Sequence, residues 1–162
     1  MRIAAGREVP LALATLSLGA GAIHFAVTSG HFAEYWVFGV FFAVLAWFQA
    51  IWAVLYALRP RRLLGFTALL VNAGTVALWL WTRTIGVPIG PNAGELEPIG
   101  APDVAATSFE AAIVVGLFWY MFNRRPALPR PSTTSPSRVW LLGGLSALVT
   151  ITTAIVLFLP SS

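Results

Sequence analysis

The sequence has no cysteine and no lysine, and only 10% of its 162 residues are charged. The absence of cysteine excludes disulfides, thiolate metal sites and cysteine nucleophiles. Soluble domains carry charge at about a quarter of their positions, whereas this chain is 58% hydrophobic with a mean hydropathy of +0.81. It also lacks a Walker-type loop, a Gly-x-Ser-x-Gly elbow and a dinucleotide fingerprint. The composition therefore indicates a membrane protein and favours none of these enzyme classes.

Five apolar runs of about 20 residues predict five transmembrane helices. The runs are Pro10–Thr28, Tyr35–Leu58, Leu63–Thr82, Val104–Phe122 and Val139–Leu159. Ser29-Gly30 predicts a break between the first two. We expect a four-helix core at residues 1–122, a Pro/Arg-rich linker at 123–138, and the fifth helix with a short tail at 139–162. The predicted fold is all-α, a transmembrane four-helix bundle with a tethered fifth helix.

The arginines predict the orientation, because basic residues collect on the cytoplasmic side of membrane proteins. With five spans only Arg83 falls outside, and nine arginines fall on the other side: Arg2, Arg7, Arg59, Arg61, Arg62, Arg124, Arg125, Arg130 and Arg138. Of the acids, only Glu8 falls on that inner side. We therefore expect a multi-pass plasma-membrane protein with its N-terminus inside and its C-terminus outside, and no role in nucleic-acid binding.

Both histidines lie in the stretch IHFAVTSGHFAE, residues 23–34, at the predicted outer end of the first two helices. His24 falls roughly 6 to 9 Å inside that surface, and Glu110 falls roughly 9 Å below it on the fourth helix. Imidazole nitrogens and carboxylate oxygens suit Zn or Cu. The candidate ligands of a transition metal ion are thus His24, His31, Glu34 and Glu110, with Asp103 as a supporting or alternative ligand. Haem is disfavoured, because His24 and His31 lie seven residues apart across the predicted break.

Simpler interpretations of the same residues remain open. Glu110 can form an ion pair with Arg83, and His31 with Glu34 can be ordinary residues flanking a span. Asp103 follows a proline and opens a helix, which predicts an N-cap. We expect Gln49 and Asn72 to form hydrogen bonds between helices, and Trp79 to lie in the aromatic belt at the membrane surface. The Gly/Pro-rich loop from Arg83 to Asp103 is either a rigid turn or a lid over the site.

The stretches IHFAVTSGHFAEYWVFGVFF and RTIGVPIGPNAGELEPIGAPDVAATSFE resemble small polytopic membrane proteins of high-GC Gram-positive, actinobacterial-type bacteria. The exclusive use of arginine agrees with a GC-rich genome. The resemblance covers roughly the first four helices and implies no activity or site residues. It does imply that the fifth helix is an addition to a four-helix core.

Three functions are consistent with these patterns. The first is binding of a transition metal at the outer cluster, in metal handling or a redox complex. The second is an accessory or assembly subunit that contacts a protein partner through the loop at 83–103 or through the fifth helix. The third is a membrane enzyme or transporter in which Glu110 carries a proton beside His24.

Overall fold

The computed structural model describes residues 7–123 and 136–158, with the side chains of the last helix described over residues 143–154. These residues form five α-helices and no strand: α1 (Glu8–Glu34), α2 (Trp36–Leu58), α3 (Arg62–Thr84), α4 (Ala101–Phe122) and α5 (Pro136–Phe158). The first four are long and apolar enough to cross a membrane. At 1.5 Å per residue each exceeds the roughly 30 Å of a bilayer core. In α5 the apolar stretch among described side chains is shorter, Gly143–Ala154.

The predicted break at Ser29-Gly30 is wrong, because α1 continues without interruption to Glu34. The chain turns at Tyr35, whose extended backbone (φ −159°, ψ 127°) separates α1 from α2. Neither Ser nor Gly forbids helix, and the small residues leave the backbone hydrogen bonds of α1 intact. As a consequence His31 and Glu34 belong to the last turn of α1 and not to the start of α2.

The four long helices alternate in direction, which gives the bundle two different ends. At the arginine end, the Arg7 guanidinium donates to the carbonyls of Ala57 and Leu58, both 2.7 Å away, where α2 finishes. Arg59, Arg61 and Arg62 lie at the same end. At the opposite, acidic end lie Glu34, Arg83, Glu97 and Asp103.

Helix α1 is the centre of the bundle. It packs closely against α2 and α4 and also contacts α5, while α3 packs mainly on α4. Small residues allow this: Ala20 is fully buried, and a Cβ at Gly19 would lie 2.5 Å from Val149 Cγ1 of α5. Small side chains of this kind let helix backbones approach closely in membranes. The consecutive helices α2 and α3, in contrast, contact each other little.

The core combines an apolar cluster with buried polar groups. The largest fully buried side chains include Tyr56, Ile113 and Leu117, and the Tyr56 ring stacks on Trp52 at 4.6 Å. The Trp52 indole N–H donates to the Leu64 carbonyl at 2.7 Å, which joins α2 to α3 near the arginine end. The outward faces remain apolar, as in Leu63 and Leu70, each 73% exposed. Such a surface is suited to lipid contact.

Candidate functional site

A histidine and a glutamate from different helices meet inside the bundle. His24 of α1 and Glu110 of α4 are 3% and 1% exposed, and His24 Nε2 lies 3.0 Å from Glu110 Oε1. The pair lies about 14 Å from the acidic ends of the two helices, given their rise per residue. The predicted match in depth is therefore confirmed, although both residues lie deeper than expected, because α1 extends past Thr28 to Glu34 and α4 begins at Ala101.

The helix faces explain why these two side chains meet. On α1, Ala20, Ile23 and His24 are all buried, and their spacing of three and four residues places them on one face. On α4, the buried set has the same spacing: Ala106, Phe109, Glu110 and Ile113. Alanine on each face shortens the distance between the two helices, and the longer polar side chains then reach each other.

A chain of buried amide and hydroxyl groups extends from Glu110 toward the arginine end. Gln49 Nε2 lies 2.9 Å from Asn72 Oδ1 and 3.4 Å from Glu110 Oε1. The Ser17 hydroxyl donates to Gln49 Oε1 at 2.5 Å. The predicted interhelical hydrogen bonds of Gln49 and Asn72 are thus confirmed. Together these groups link α1, α2, α3 and α4 within the apolar interior.

A cavity of about 470 Å³ extends from the His24–Glu110 pair to the acidic end. Its walls come from α1, α2, α3, α4 and the loop before α4. Three residues that line it carry a buried polar atom without a hydrogen-bond partner among the described residues: Trp79 Nε1, Arg83 Nε and Glu110 Oε2. Buried polar atoms are normally paired, so these two donors and one oxygen are candidates for contact with a bound molecule.

His31 and Glu34 form a second pair nearer the mouth of the same cavity. His31 Nδ1 lies 3.4 Å from Glu34 Oε2, and the imidazole stacks on Phe42 with ring centroids 4.0 Å apart. Phe42 also contacts the His24 ring, at 5.6 Å. The histidines are two helical turns apart on α1, a separation of about 10 Å along the axis.

The four candidate metal ligands therefore form two separate pairs. Among the described residues, no group of three or more His, Asp or Glu side chains is arranged to hold a metal ion. A structural zinc site takes four protein ligands and a catalytic one takes three. The His24–Glu110 pair supplies only two, so the predicted metal site gains no support from this arrangement.

Arg83 is bound to acids other than Glu110. Its guanidinium donates to Glu97 Oε2 at 2.6 Å and to Asp103 Oδ2 at 2.7 Å, and it lies over the Trp79 ring at 5.3 Å. The alternative Arg83–Glu110 ion pair is not formed, because Arg83 lies at the last turn of α3, nearer the surface than Glu110, and binds Glu97 and Asp103. The N-cap prediction for Asp103 is wrong. Gly100 is the N-cap, and Asp103, three residues later, accepts its backbone N–H at 3.3 Å.

The loop between α3 and α4 folds over the cavity. Two hydrogen bonds of 2.9 Å close the loop on itself: the Val87 N–H donates to the Glu95 carbonyl, and the Gly94 N–H donates to the Val87 carbonyl. Gly86, Gly90 and Gly94 take positive φ values of 119°, 98° and 89°, a region that suits glycine. Val87 is 5% exposed and lines the cavity with Ile89 and Leu96. The loop is thus an internally bonded turn that also forms part of the cavity wall.

No family model, curated protein or solved structure matches this chain.

Two functional candidates were not predicted as such from the sequence. Trp79, expected in the aromatic belt, is only partly exposed and lines the cavity. Ser17 contributes the buried hydroxyl bonded to Gln49. A lone serine in an apolar run carries no distinguishing signal. For Trp79, its spacing of four residues from Arg83 was the available indication that both face one side of α3.

Proposed function

We propose that this protein is a multi-pass membrane protein that binds a small molecule in the cavity and exchanges a proton at the His24–Glu110 pair. One observation carries the proposal. Glu110 is a fully buried carboxyl group, with one oxygen on His24 and the other without a hydrogen-bond partner among the described residues, in the wall of a cavity.

The energetics of a buried carboxylate support proton exchange. A charged acid near the bilayer centre costs about 3 kcal/mol on insertion scales, unless it is paired. Glu110 avoids that cost in three ways: it takes a proton, it faces a protonated His24, or it faces a cationic ligand. The pair holds one proton in the first two states and none in the third, so binding of a cationic ligand is linked to pH.

The cavity supports access to this pair. Its volume of about 470 Å³ lies within the range of roughly 300 to 1,000 Å³ of small-molecule sites. Its wall is mostly apolar, with polar groups at the two ends. A solute held there contacts both the buried pair and the residues beneath the loop.

The proposed orientation places the acidic end outside the cell. Arg7, Arg59, Arg61 and Arg62 lie at the arginine end, which the bias of basic residues assigns to the cytoplasm. The cavity then opens to the extracytoplasmic side, and α5 is a fifth span that ends outside. The resemblance to actinobacterial-type membrane proteins fits a plasma-membrane location.

Infrared difference spectroscopy of the protein in liposomes tests the proton exchange. As the pH is lowered, a carboxylic-acid C=O band of Glu110 is expected to appear, and to be absent in Glu110→Gln. Glu8→Gln, which removes an acid at the arginine end, should retain the band. Identical pH-dependent spectra from Glu110→Gln and the unmodified protein would contradict the proposal.

The same preparation tests the metal alternative. Elemental analysis of protein purified without chelator is expected to give less than about 0.2 transition-metal ions per chain, since an occupied site approaches one. A content near one that His24→Ala removes would favour a Cu or Zn site over proton exchange. An accessory-subunit role instead predicts a co-purifying protein that is lost when the loop at 83–103 is shortened.

A further inference from the structure

The gap between α2 and α3 forms an apolar groove next to the cavity. The groove has a volume of about 340 Å³ and shares Phe41, Thr75 and Leu78 with the cavity wall. Its outer edge includes Val44 and Leu70, which are 64% and 73% exposed. Gly74 lies in the groove with no atom within 4 Å of a Cβ built on it. The groove therefore lies on the lipid-facing side of a wall that it shares with the cavity.

The charges around the cavity favour a cation. One guanidinium, Arg83, lines it, against five carboxyl groups: Glu34, Glu95, Glu97, Asp103 and Glu110. Arg83 is already bound to two of the five. An anion entering this space meets an excess of like charge, whereas a cation meets Glu110 Oε2, which has no hydrogen-bond partner among the described residues.

Aromatic walls add to that preference. Phe38, Phe41 and Phe42 of α2 and Trp79 of α3 line the cavity. Aromatic faces attract organic cations, more strongly where water is excluded. An apolar body on such a cation matches the groove, whose walls are nearly all hydrocarbon.

We propose that the ligand is an amphipathic organic cation that enters from the bilayer between α2 and α3 and replaces the proton on Glu110. This inference rests on the proposed proton exchange. In the exchange, the O–H bond of the Glu110 carboxyl group breaks, the proton leaves to water at the acidic end, and the cation takes its place beside the carboxylate. No other bond changes, and the buried charge is the same before and after.

Other titratable or charged groups lie near Glu110 or in the same cavity. His24 contacts Glu110 directly, and α2 contributes only the neutral Gln49. Toward the mouth, the remaining titratable or charged groups of the cavity are His31, Glu34, Arg83, Glu95, Glu97 and Asp103. These groups modulate the pH dependence, but only Glu110 is required for cation binding in this proposal.

Binding of tetraphenylphosphonium to the protein in zwitterionic nanodiscs tests the ligand class, with empty nanodiscs as background. Triphenylphosphine oxide is the neutral comparison. We expect one phosphonium site per chain, with an affinity that rises by up to about tenfold per pH unit over the range where a proton is displaced. Proton release should accompany binding. Glu110→Gln should lose the site, and the neutral oxide should bind at least about tenfold more weakly, since one charge interaction of about 1.4 kcal/mol is absent.

The lateral route is tested with a matched pair of glycines. Gly74→Leu fills the groove and should weaken phosphonium binding at least about tenfold, while the Glu110 infrared band shows that the site is intact. The control is Gly143→Leu on α5, where a Cβ likewise meets no atom within 4 Å. This substitution adds the same side chain away from the groove and should leave phosphonium binding unchanged. Equal affinities of the two variants would overturn the lateral route. The lateral route would also be overturned if the unmodified protein were a dimer and Gly74→Leu dissociated it, because a second copy of the chain would then occupy the groove.

The remaining outcomes separate this inference from the proposed function. Equal binding by Glu110→Gln, or equal affinity for the neutral oxide, overturns the cation proposal. Absence of phosphonium binding together with a pH-dependent Glu110 band overturns the ligand class and leaves proton exchange standing. Absence of that band overturns both.

Discussion

His24 Nε2 and Glu110 Oε1 are 3.0 Å apart, although 86 positions separate the two residues in the chain. Both are almost completely buried, and they join α1 to α4, two helices that pack against each other in the bundle. Gln49 extends the contact to α2 and, through Asn72, to α3. The pair therefore belongs to a network that holds the bundle together and also forms the floor of its cavity.

The first prediction concerns Gln49, which is the centre of that network. Gln49→Leu removes hydrogen bonds to Ser17, Asn72 and Glu110 at a fully buried position. We expect the free energy of unfolding to fall by about 1 to 2 kcal/mol, because interhelical hydrogen bonds in membranes contribute about 0.6 kcal/mol on average and stranded partners add a cost. Unfolding in mixed micelles measures this change.

Ser108→Ala is the control for this measurement. The Ser108 hydroxyl is exposed and donates to Val104 O within its own helix, so its loss should change the free energy of unfolding by less than about 0.5 kcal/mol. Equal stability of the Gln49 and Ser108 variants would show that the network does not stabilise the bundle.

The second prediction concerns Arg83, which ties the loop to α4 through Glu97 and Asp103. In Arg83→Ala these carboxylates lose their shared cation. We expect hydrogen exchange at the amides of Val87, Gly94 and Glu97 to accelerate by about tenfold or more, because local opening becomes less costly. These amides are hydrogen-bonded in the folded loop.

Arg61→Ala removes an arginine at the opposite end of α3 and should leave exchange in the loop unchanged. Unaltered protection in the Arg83 variant would mean that the glycine turns and the buried Val87 hold the loop without the ion pairs.

The third prediction concerns orientation in the membrane. Because the chain has no cysteine, single substitutions give unambiguous labels. Asn92→Cys, in the loop over the cavity, should react with a membrane-impermeant maleimide on intact cells. Arg61→Cys should react only after permeabilisation. Ser162→Cys should label from outside, as expected for five spans. Labelling of Arg61→Cys on intact cells would reverse the proposed orientation, and an internal Ser162→Cys would exclude α5 as a span.

The sequence by itself determined where the helices lie in the chain and that consecutive helices run in opposite directions. Uninterrupted apolar runs of about 20 residues can satisfy their backbone groups in lipid only as helices. The runs therefore specified α2, α3 and α4 to within a few residues. The arginines similarly grouped Arg7 with Arg59, Arg61 and Arg62, and the structure places these residues at one end. The extent of α1 was not determined, because Ser29-Gly30 is compatible with either a turn or a helix.

The pairing of side chains was decided by the tertiary structure. Depth along a helix follows from residue number, so the sequence placed His24 and Glu110 in one layer. Rotation of each helix about its axis depends on packing at Ala20, Ala106 and similar contacts, which a single sequence does not specify. With the rotation found in the structure, Arg83 forms ion pairs with Glu97 and Asp103, and Glu110 contacts His24. Among the described residues His31 forms an ion pair with neither Arg83 nor Glu110, and a groove lies between α2 and α3.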